Sequence, residues 1–102
     1  MLGDIVFTDQ ALTFMASLPP WQRDHLNKLV AHLVCEPEVG EVVRNPTFKI
    51  SEFGGQPRRI RVFQIEPQRG GVRMIYYIAR RYDTLVVYKI AFRDSDPYED
   101  GR

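Results

Sequence analysis

The spacing of the apolar residues changes once along this chain, from a helical period to the alternation of a β-strand. Between residues 11 and 34, apolar side chains recur every three or four positions, as on one stripe of an amphipathic helix. Pro19-Pro20 divides this part into two helices. From Arg58 onward the period is two, as in strands that bury one face. Such a chain buries the apolar stripes of its helices and the apolar face of its strands together when the helices pack on a sheet.

The predicted fold class is therefore α+β. A short strand at residues 5–7 leads into a helical hairpin, and an antiparallel meander of three strands follows at residues 58–66, 72–80 and 85–93. The segment 48–53 fits either a strand or a loop, and the glycines of residues 67–71 indicate a hairpin turn. Both helices should pack on one face of the sheet. The other face is expected to be free, and a functional site should be sought there.

Length and composition predict one domain spanning residues 1–102. The chain contains no apolar run of the roughly 20 residues that a membrane helix needs, and its start lacks the pattern of a signal peptide. We therefore expect a cytoplasmic protein. The single cysteine, Cys35, cannot form an internal disulfide, and its place in a helical apolar stretch predicts a buried thiol.

Positive charge is concentrated in one part of the chain, although the net charge is only +1. Between Arg44 and Arg93 there are eleven Lys or Arg residues against three Asp or Glu. A segregated basic segment is typical of proteins that bind polyanions such as nucleic acids. A solvated sheet edge that is protected by charge against aggregation explains the same distribution.

Familiar catalytic and metal-binding patterns are not found. His25 and His32 lie seven residues apart in a predicted helix, and no third ligand follows at metal spacing, so no metal or cofactor is expected. The glycine pairs at residues 54–55 and 70–71 lack the lysine and following helix of a phosphate-binding loop. A Ser-His-Asp arrangement is not supported either, because both histidines belong to the helices.

An arginine set on the predicted sheet is the remaining candidate. Arg59 and Arg61 alternate along one strand, Arg73 begins the next, Arg93 ends the last, and Tyr98 follows five residues later. Guanidinium groups bind phosphate oxygens and stabilise the charge of a phosphorane-like transition state. Nearby cations would favour the phenolate of Tyr98, which could then act as a base. Any one of these arginines taken alone is better explained by packing or by an ion pair.

Three motifs, PRRIRVF at residues 57–63, GVRMIY at 71–76 and IAFRDSDPYED at 90–100, look like motifs of the RelE/ParE superfamily of bacterial toxins. Together with the order of the elements, they make nearly the whole chain resemble these toxins. The resemblance implies the fold and the activity of the RelE branch, which is metal-independent cleavage of mRNA, commonly on the ribosome. In that reaction the ribose 2′-hydroxyl attacks the adjacent phosphate and leaves a cyclic phosphate.

The resemblance also implies roles for individual residues. The predicted catalytic residues are Arg73, Arg93, Tyr98 and Arg61, and Arg59 is a predicted RNA-binding residue. Apart from the resemblance, the basic residues Arg58 and Lys89 are also predicted to bind RNA. Phe92 precedes Arg93 where relatives often carry histidine, and arginines replace the lysines of RelE. Because arginine is a poor proton carrier, Tyr98 would perform most of any proton transfer.

The resemblance leaves two alternatives open. A ParE-like protein would inhibit DNA gyrase through protein contacts without being an enzyme, and a degenerate relative would survive as a binding module. Toxins of this kind pair with an antitoxin, which should be acidic where it meets the basic patch. The predicted partners are therefore a cognate antitoxin and mRNA, with no membrane.

Overall fold

The computed structural model describes residues 1–43, 57–63 and 71–92. Two helices and five strands occupy these residues, in the order β1 (Asp4–Phe7), α1 (Asp9–Ala16), α2 (Pro20–Cys35), β2 (Glu41–Val42), β3 (Arg58–Phe63), β4 (Val72–Ala79) and β5 (Thr84–Phe92). The predicted α+β class, the N-terminal strand, the helical hairpin and the three later strands are confirmed. The predictions for residues 48–53 and 64–70 lie outside the described residues.

The strands form one mixed sheet in the order β1-β5-β4-β3-β2. β3, β4 and β5 are antiparallel neighbours, as the meander predicts, whereas β1 pairs in parallel with β5 from Asp4 and Thr84 onward. β2 is a strand of two residues that the sequence reading did not predict, and it pairs antiparallel with β3. Asp83, at φ 53°, makes the turn between β4 and β5 in the left-handed region that aspartate tolerates.

The start of α1 is attached to β5. The hydroxyl of Thr8 caps the helix by accepting from the Ala11 backbone N–H at 3.3 Å, and it donates to the Tyr88 carbonyl at 2.5 Å. The side-chain amide of Gln10 donates to the Ile90 carbonyl at 2.7 Å and accepts from the Ile90 N–H at 2.9 Å. Gln10 thus supplies hydrogen bonds to the part of β5 that extends beyond its parallel partner β1.

The main core lies between the helices and one face of the sheet. Leu26 and Leu33 of α2 are fully buried there together with Met74 and Tyr76 of β4. The residues of the predicted helical stripes are buried or half-buried, so their periodicity is confirmed. Cys35 is a correction, because it is exposed. It follows Val34 by about 100° around the helix and therefore leaves the apolar stripe. In the described parts of the chain, neither helix is long and apolar enough to cross a membrane.

A β-bulge in β5 decides which of its side chains enter this core. Ile75 of β4 pairs with Lys89, but the next residue, Tyr76, pairs with Val87, which leaves Tyr88 as an extra residue. Strict alternation along β5 would separate Val87 from Ile90. The bulge instead places both in the main core and turns Lys89 toward the opposite face of the sheet.

The expectation that the second face is free is wrong for its centre. Ile75, Tyr77 and Val86 alternate onto the face opposite the helices, and each is at most 2% exposed. They form two small apolar clusters with partly buried Tyr88. A sheet that carries apolar residues on both faces is buried on both. The site must therefore be sought in the part of this face that carries charge.

Candidate functional site

The strand register gathers four of the predicted cations around one apolar side chain. Arg59 of β3 and Lys89 of β5 are the cross-strand neighbours of Ile75, one on either side of β4. In the adjacent row, Arg61 of β3 lies directly opposite Arg73 of β4. Side chains in register on neighbouring strands share one face, which here is the face opposite the helices. We call Arg59, Arg61, Arg73 and Lys89 the basic cluster.

Three members of the basic cluster line an open pocket of about 260 Å³. Its residues are Val39, Gly40, Glu41, Arg59, Ile60, Arg61 and Arg73. Arg61 is exposed, whereas Arg59 and Arg73 are half-buried. A concave, solvent-open site lined by guanidinium groups suits a phosphate group, because each guanidinium offers several fixed N–H donors.

The pairing of Arg61 with Arg73 is unfavourable for the folded chain by itself. Like charges placed directly opposite each other in an antiparallel pair repel, and the repulsion costs a few tenths to about 1 kcal/mol. An anion that binds between the two groups removes this repulsion. An anion bound between Arg61 and Arg73 would also contact both guanidinium groups.

Glu41 lies in the same pocket and was missed by the sequence reading. It is the cross-strand neighbour of Arg59, and its Oε1 accepts from Arg59 Nε at 2.8 Å and also from Nη2 of the same guanidinium. The pair is exposed to solvent. The signal was weak, since GEVV at residues 40–43 contains only a brief run of strand-forming residues in a polar connection.

Arg58 does not join the basic cluster. Its cross-strand neighbour is Tyr76, whose side chain lies in the main core on the helical side of the sheet. Arg58 Nη1 donates to the carbonyls of Glu38 at 3.0 Å and Gly40 at 2.7 Å. Adjacent residues of a strand point to opposite faces, so Arg58 and Arg59 cannot serve one site together. In this structure Arg58 supports the segment that precedes β2.

Arg93 and Tyr98 lie outside the described residues, so their catalytic roles stay predictions. The tyrosines near the basic cluster are Tyr77 and Tyr88, whose rings meet edge to face at 5.4 Å between centroids. Burial, and to a smaller degree the proximity of Tyr88, raise the pKa of Tyr77 to about 12. Tyr77 is therefore protonated at neutral pH and cannot act as a base there.

The histidines are surface residues, as predicted. Both are exposed, His25 with a ring nitrogen 3.2 Å from the Val62 carbonyl and His32 beside Glu36 at 3.7 Å. Within residues 1–43, 57–63 and 71–92, no three potential metal ligands lie together. A second pocket, of about 270 Å³, lies near β1, but its lining of Val6, Ala79, Tyr82, Thr84 and Val86 is largely apolar and offers no group for phosphate chemistry.

No protein-family model matches this sequence, and no curated protein sequence matches it. Solved structures do share its fold. A mutant of the E. coli toxin RelE in the free state has a TM-score of 0.69 at 16% identity, covering 99% of this chain and 94% of that one. The archaeal RelE-RelB complex from Pyrococcus horikoshii OT3 has a TM-score of 0.63 at 20% identity, covering 91% of this chain and 97% of that one.

The intact E. coli RelBE toxin-antitoxin complex is a third such structure, with a TM-score of 0.58 at 16% identity over 86% of this chain and 93% of that one. The chain has the RelE-like fold, and the resemblance inferred from its motifs is confirmed at that level.

Proposed function

We propose that this protein is the toxin of a type II toxin–antitoxin system and that it cleaves mRNA in the cytoplasm by a metal-independent reaction. The observation that carries the proposal is the basic cluster on a RelE-like fold, with Arg61 and Arg73 directly opposite each other at an open pocket. Two guanidinium groups opposite each other attract an anion, and the phosphate backbone of RNA supplies one. The choice of RNA rests on analogy with the fold.

Within the proposal, Arg61 and Arg73 bind the non-bridging oxygens of the scissile phosphate. The 2′-oxygen forms a bond to phosphorus while the bond from phosphorus to the 5′-oxygen breaks. The products are a 2′,3′-cyclic phosphate and a free 5′-hydroxyl, whose leaving oxygen takes its proton from water. Negative charge increases on the phosphate oxygens in the transition state, and fixed guanidinium groups stabilise that charge. Arg59 and Lys89 share the row of Ile75 beside that pair and are the proposed contacts of the flanking phosphates.

The proton steps are assigned to the C-terminal residues predicted from the sequence. Tyr98 accepts the proton of the 2′-hydroxyl, and Arg93 contributes a further positive charge. The raised pKa of Tyr77 removes this buried phenol from the role at neutral pH. Translating ribosomes are the proposed place of cleavage.

A cognate antitoxin is the proposed protein partner. Two of the similar structures are complexes of a RelE toxin with RelB, which supports a partner of this kind for the present chain. An antitoxin that covers the basic cluster should carry acidic residues there, because complementary charge favours association.

The experiment is expression of the chain in bacteria without an antitoxin, followed by cleavage assays in which the purified protein acts on mRNA bound to translating ribosomes. Growth should stop, and mRNA should be cut to products that end in a cyclic phosphate. Arg73→Ala should lower the cleavage rate about 100-fold or more, as expected for losing one group that stabilises transition-state charge.

Arg81→Ala is the matched control, since Arg81 is an exposed arginine at the other end of β4 that stacks over Tyr82. It should leave growth arrest and cleavage unchanged. Equal toxicity of the Arg73 variant would remove that residue from the mechanism. Intact mRNA together with gyrase-dependent DNA damage would instead assign the ParE-like activity, and the absence of both effects would indicate a binding module.

A further inference from the structure

Glu41 brings a carboxylate into a pocket that is otherwise lined by cations. Its Oε1 accepts two hydrogen bonds from the Arg59 guanidinium, through Nε and Nη2. A carboxylate oxygen at this edge of a guanidinium stands where a phosphate oxygen would bind, because both anions use the same pair of N–H donors. Arg59 is therefore already occupied when no ligand is bound.

The position of Glu41 is built into the fold. The hydroxyl of Tyr76 donates to the Pro37 carbonyl at 2.6 Å and accepts from the Gly40 N–H at 2.9 Å, which fixes the chain just before β2. A Cβ atom at Gly40 would overlap that hydroxyl, so only glycine fits there. On the other side of β2, the Val43 N–H donates to the Pro57 carbonyl at 2.9 Å. Glu41 is thus held on an anchored strand.

Arg61, the exposed member of the basic cluster, has different surroundings. Arg61 lies two residues from Arg59 on the same face of β3, about 7 Å along the strand. It makes no hydrogen bond or ion pair with the residues that the structure describes, and its cross-strand neighbour is the cation Arg73. Arg61 therefore attracts an external anion directly, whereas Arg59 already binds the carboxylate of Glu41.

We infer that Glu41 is a built-in competitor for phosphate at Arg59, which an incoming RNA strand displaces. This inference rests on the proposed function and names a residue that sets the affinity of the same site. A first phosphate binds at Arg61 and Arg73, and the neighbouring phosphate of the same strand then replaces the carboxylate on Arg59. A ligand with one phosphate makes only the first contact, so Glu41 weakens the binding of a polynucleotide and leaves that of a mononucleotide nearly unchanged.

The test compares wild type with Glu41→Gln in binding a 2′-O-methyl RNA oligonucleotide, which cannot be cleaved. The substitution keeps the size of the side chain and removes the competing charge. We expect affinity for the oligonucleotide to rise about fivefold, the scale of an exposed ion pair. Because the phosphate contact of Arg59 then no longer displaces the Glu41 carboxylate, the slope of log affinity against log salt should steepen by up to about 0.7. Affinity for a mononucleotide should change less.

Glu38→Gln is the matched control. Glu38 forms the same kind of exposed pair with Arg80, but it does not line the pocket of the basic cluster. Its side chain is 62% exposed against 68% for Glu41, so loss of one surface carboxylate is equal in the two variants. This control should leave both the affinity and the salt slope close to those of wild type.

The outcomes separate this inference from the proposed function. Wild-type binding that Glu41→Gln does not strengthen would overturn the inference alone. It would also be overturned if the gain persisted fully in an Arg59→Gln background, since Glu41 would then act by general repulsion. If neither protein bound the oligonucleotide at low salt, the inference and RNA binding by the basic cluster alone would both be contradicted, whereas the growth and cleavage assays test the proposed function separately.

Discussion

The two faces of the sheet bury apolar residues to a similar degree, yet they differ in what surrounds those residues. On the helical side, Leu26 and Leu33 complete one continuous core with Met74 and Tyr76. On the opposite side, Ile75 is as buried as any of them, but its strand neighbours are Arg59 and Lys89. The first face is built for stability throughout, whereas the second combines a buried centre with a charged region.

This difference shows how a small domain can hold like charges close together. Burial on both faces anchors the central strand β4, so the strands beside it cannot separate to relieve the repulsion between Arg61 and Arg73. The stability that the cores provide exceeds the cost of one unfavourable cross-strand pair several times. The site can then keep its geometry before any ligand arrives, which is the condition for electrostatic stabilisation of a transition state.

Truncation of buried side chains on each face is the strongest way to test this comparison. Leu26→Ala on the helical side and Ile75→Ala on the opposite side should each lower the free energy of unfolding by about 2–5 kcal/mol, because both residues are 0% exposed. Urea denaturation measures the two values. Val39→Ala, at a position that is 53% exposed, should cost less than about 0.5 kcal/mol. A loss below about 1 kcal/mol for Ile75→Ala would mean that the second face is not a core.

The buried phenol of the second face makes a prediction in alkaline solution. Burial raises the pKa of Tyr77 from 10.0 to about 12. Below pH 10 Tyr77 is neutral in the folded and unfolded states, so its contribution to the free energy of unfolding is fully present. Between about pH 10 and 12 the unfolded chain loses the proton first, so stability should fall by roughly 2–3 kcal/mol as the pH rises through this range.

Tyr77→Phe should remove the part of the stability loss that Tyr77 causes in alkaline solution. The difference between the urea midpoints near pH 9 and near pH 11.5 measures that loss in each protein. Tyr82→Phe is the control on an exposed tyrosine, and its alkaline loss should equal that of wild type. An alkaline loss that is the same in all three proteins would show that Tyr77 is not the responsible group.

The smallest predicted effect concerns the charged region itself. Arg61→Gln removes one partner of the opposed arginine pair and should leave stability unchanged or raise it by up to about 1 kcal/mol at low salt. Arg59→Gln breaks the pair with Glu41 instead and should lower stability by a similar or smaller amount. Urea denaturation at about 10 mM and about 1 M salt measures both, and the difference between the variants should shrink at high salt. A destabilising Arg61→Gln would show that this arginine is stabilised by its surroundings.

Much of the fold followed from residue spacing. The stripes through Leu26, Val30 and Leu33 predicted α2 and its buried face, and the alternation around Arg59 and Arg61 placed both on one face of β3. Arg73 was assigned to the same patch, and the register agrees. Arg58 was grouped with the RNA-binding residues by its charge, although the same alternation, read strictly, turns it away from Arg59.

Two features could not be predicted because they depend on contacts between distant parts of the chain. β2 is too short to show a period, and it exists because Arg58 and Tyr76 hold the chain before it. The bulge at Tyr88 leaves the residue types of β5 unchanged, and only pairing with β4 reveals that Lys89 joins the basic cluster. Burial of the second face was missed for a related reason, since alternation shows that a face is apolar but not that it is covered.

Local spacing alone determined the class of the fold, the helical hairpin, the meander and the alternation of the arginines, because each depends on neighbours a few residues away. Tertiary structure decided which cations form the basic cluster. It also decided that Arg59 pairs with Glu41 and that Arg58 supports the chain before β2. Those outcomes depend on register and on pairing across the sheet, where a shift of one residue exchanges the two faces.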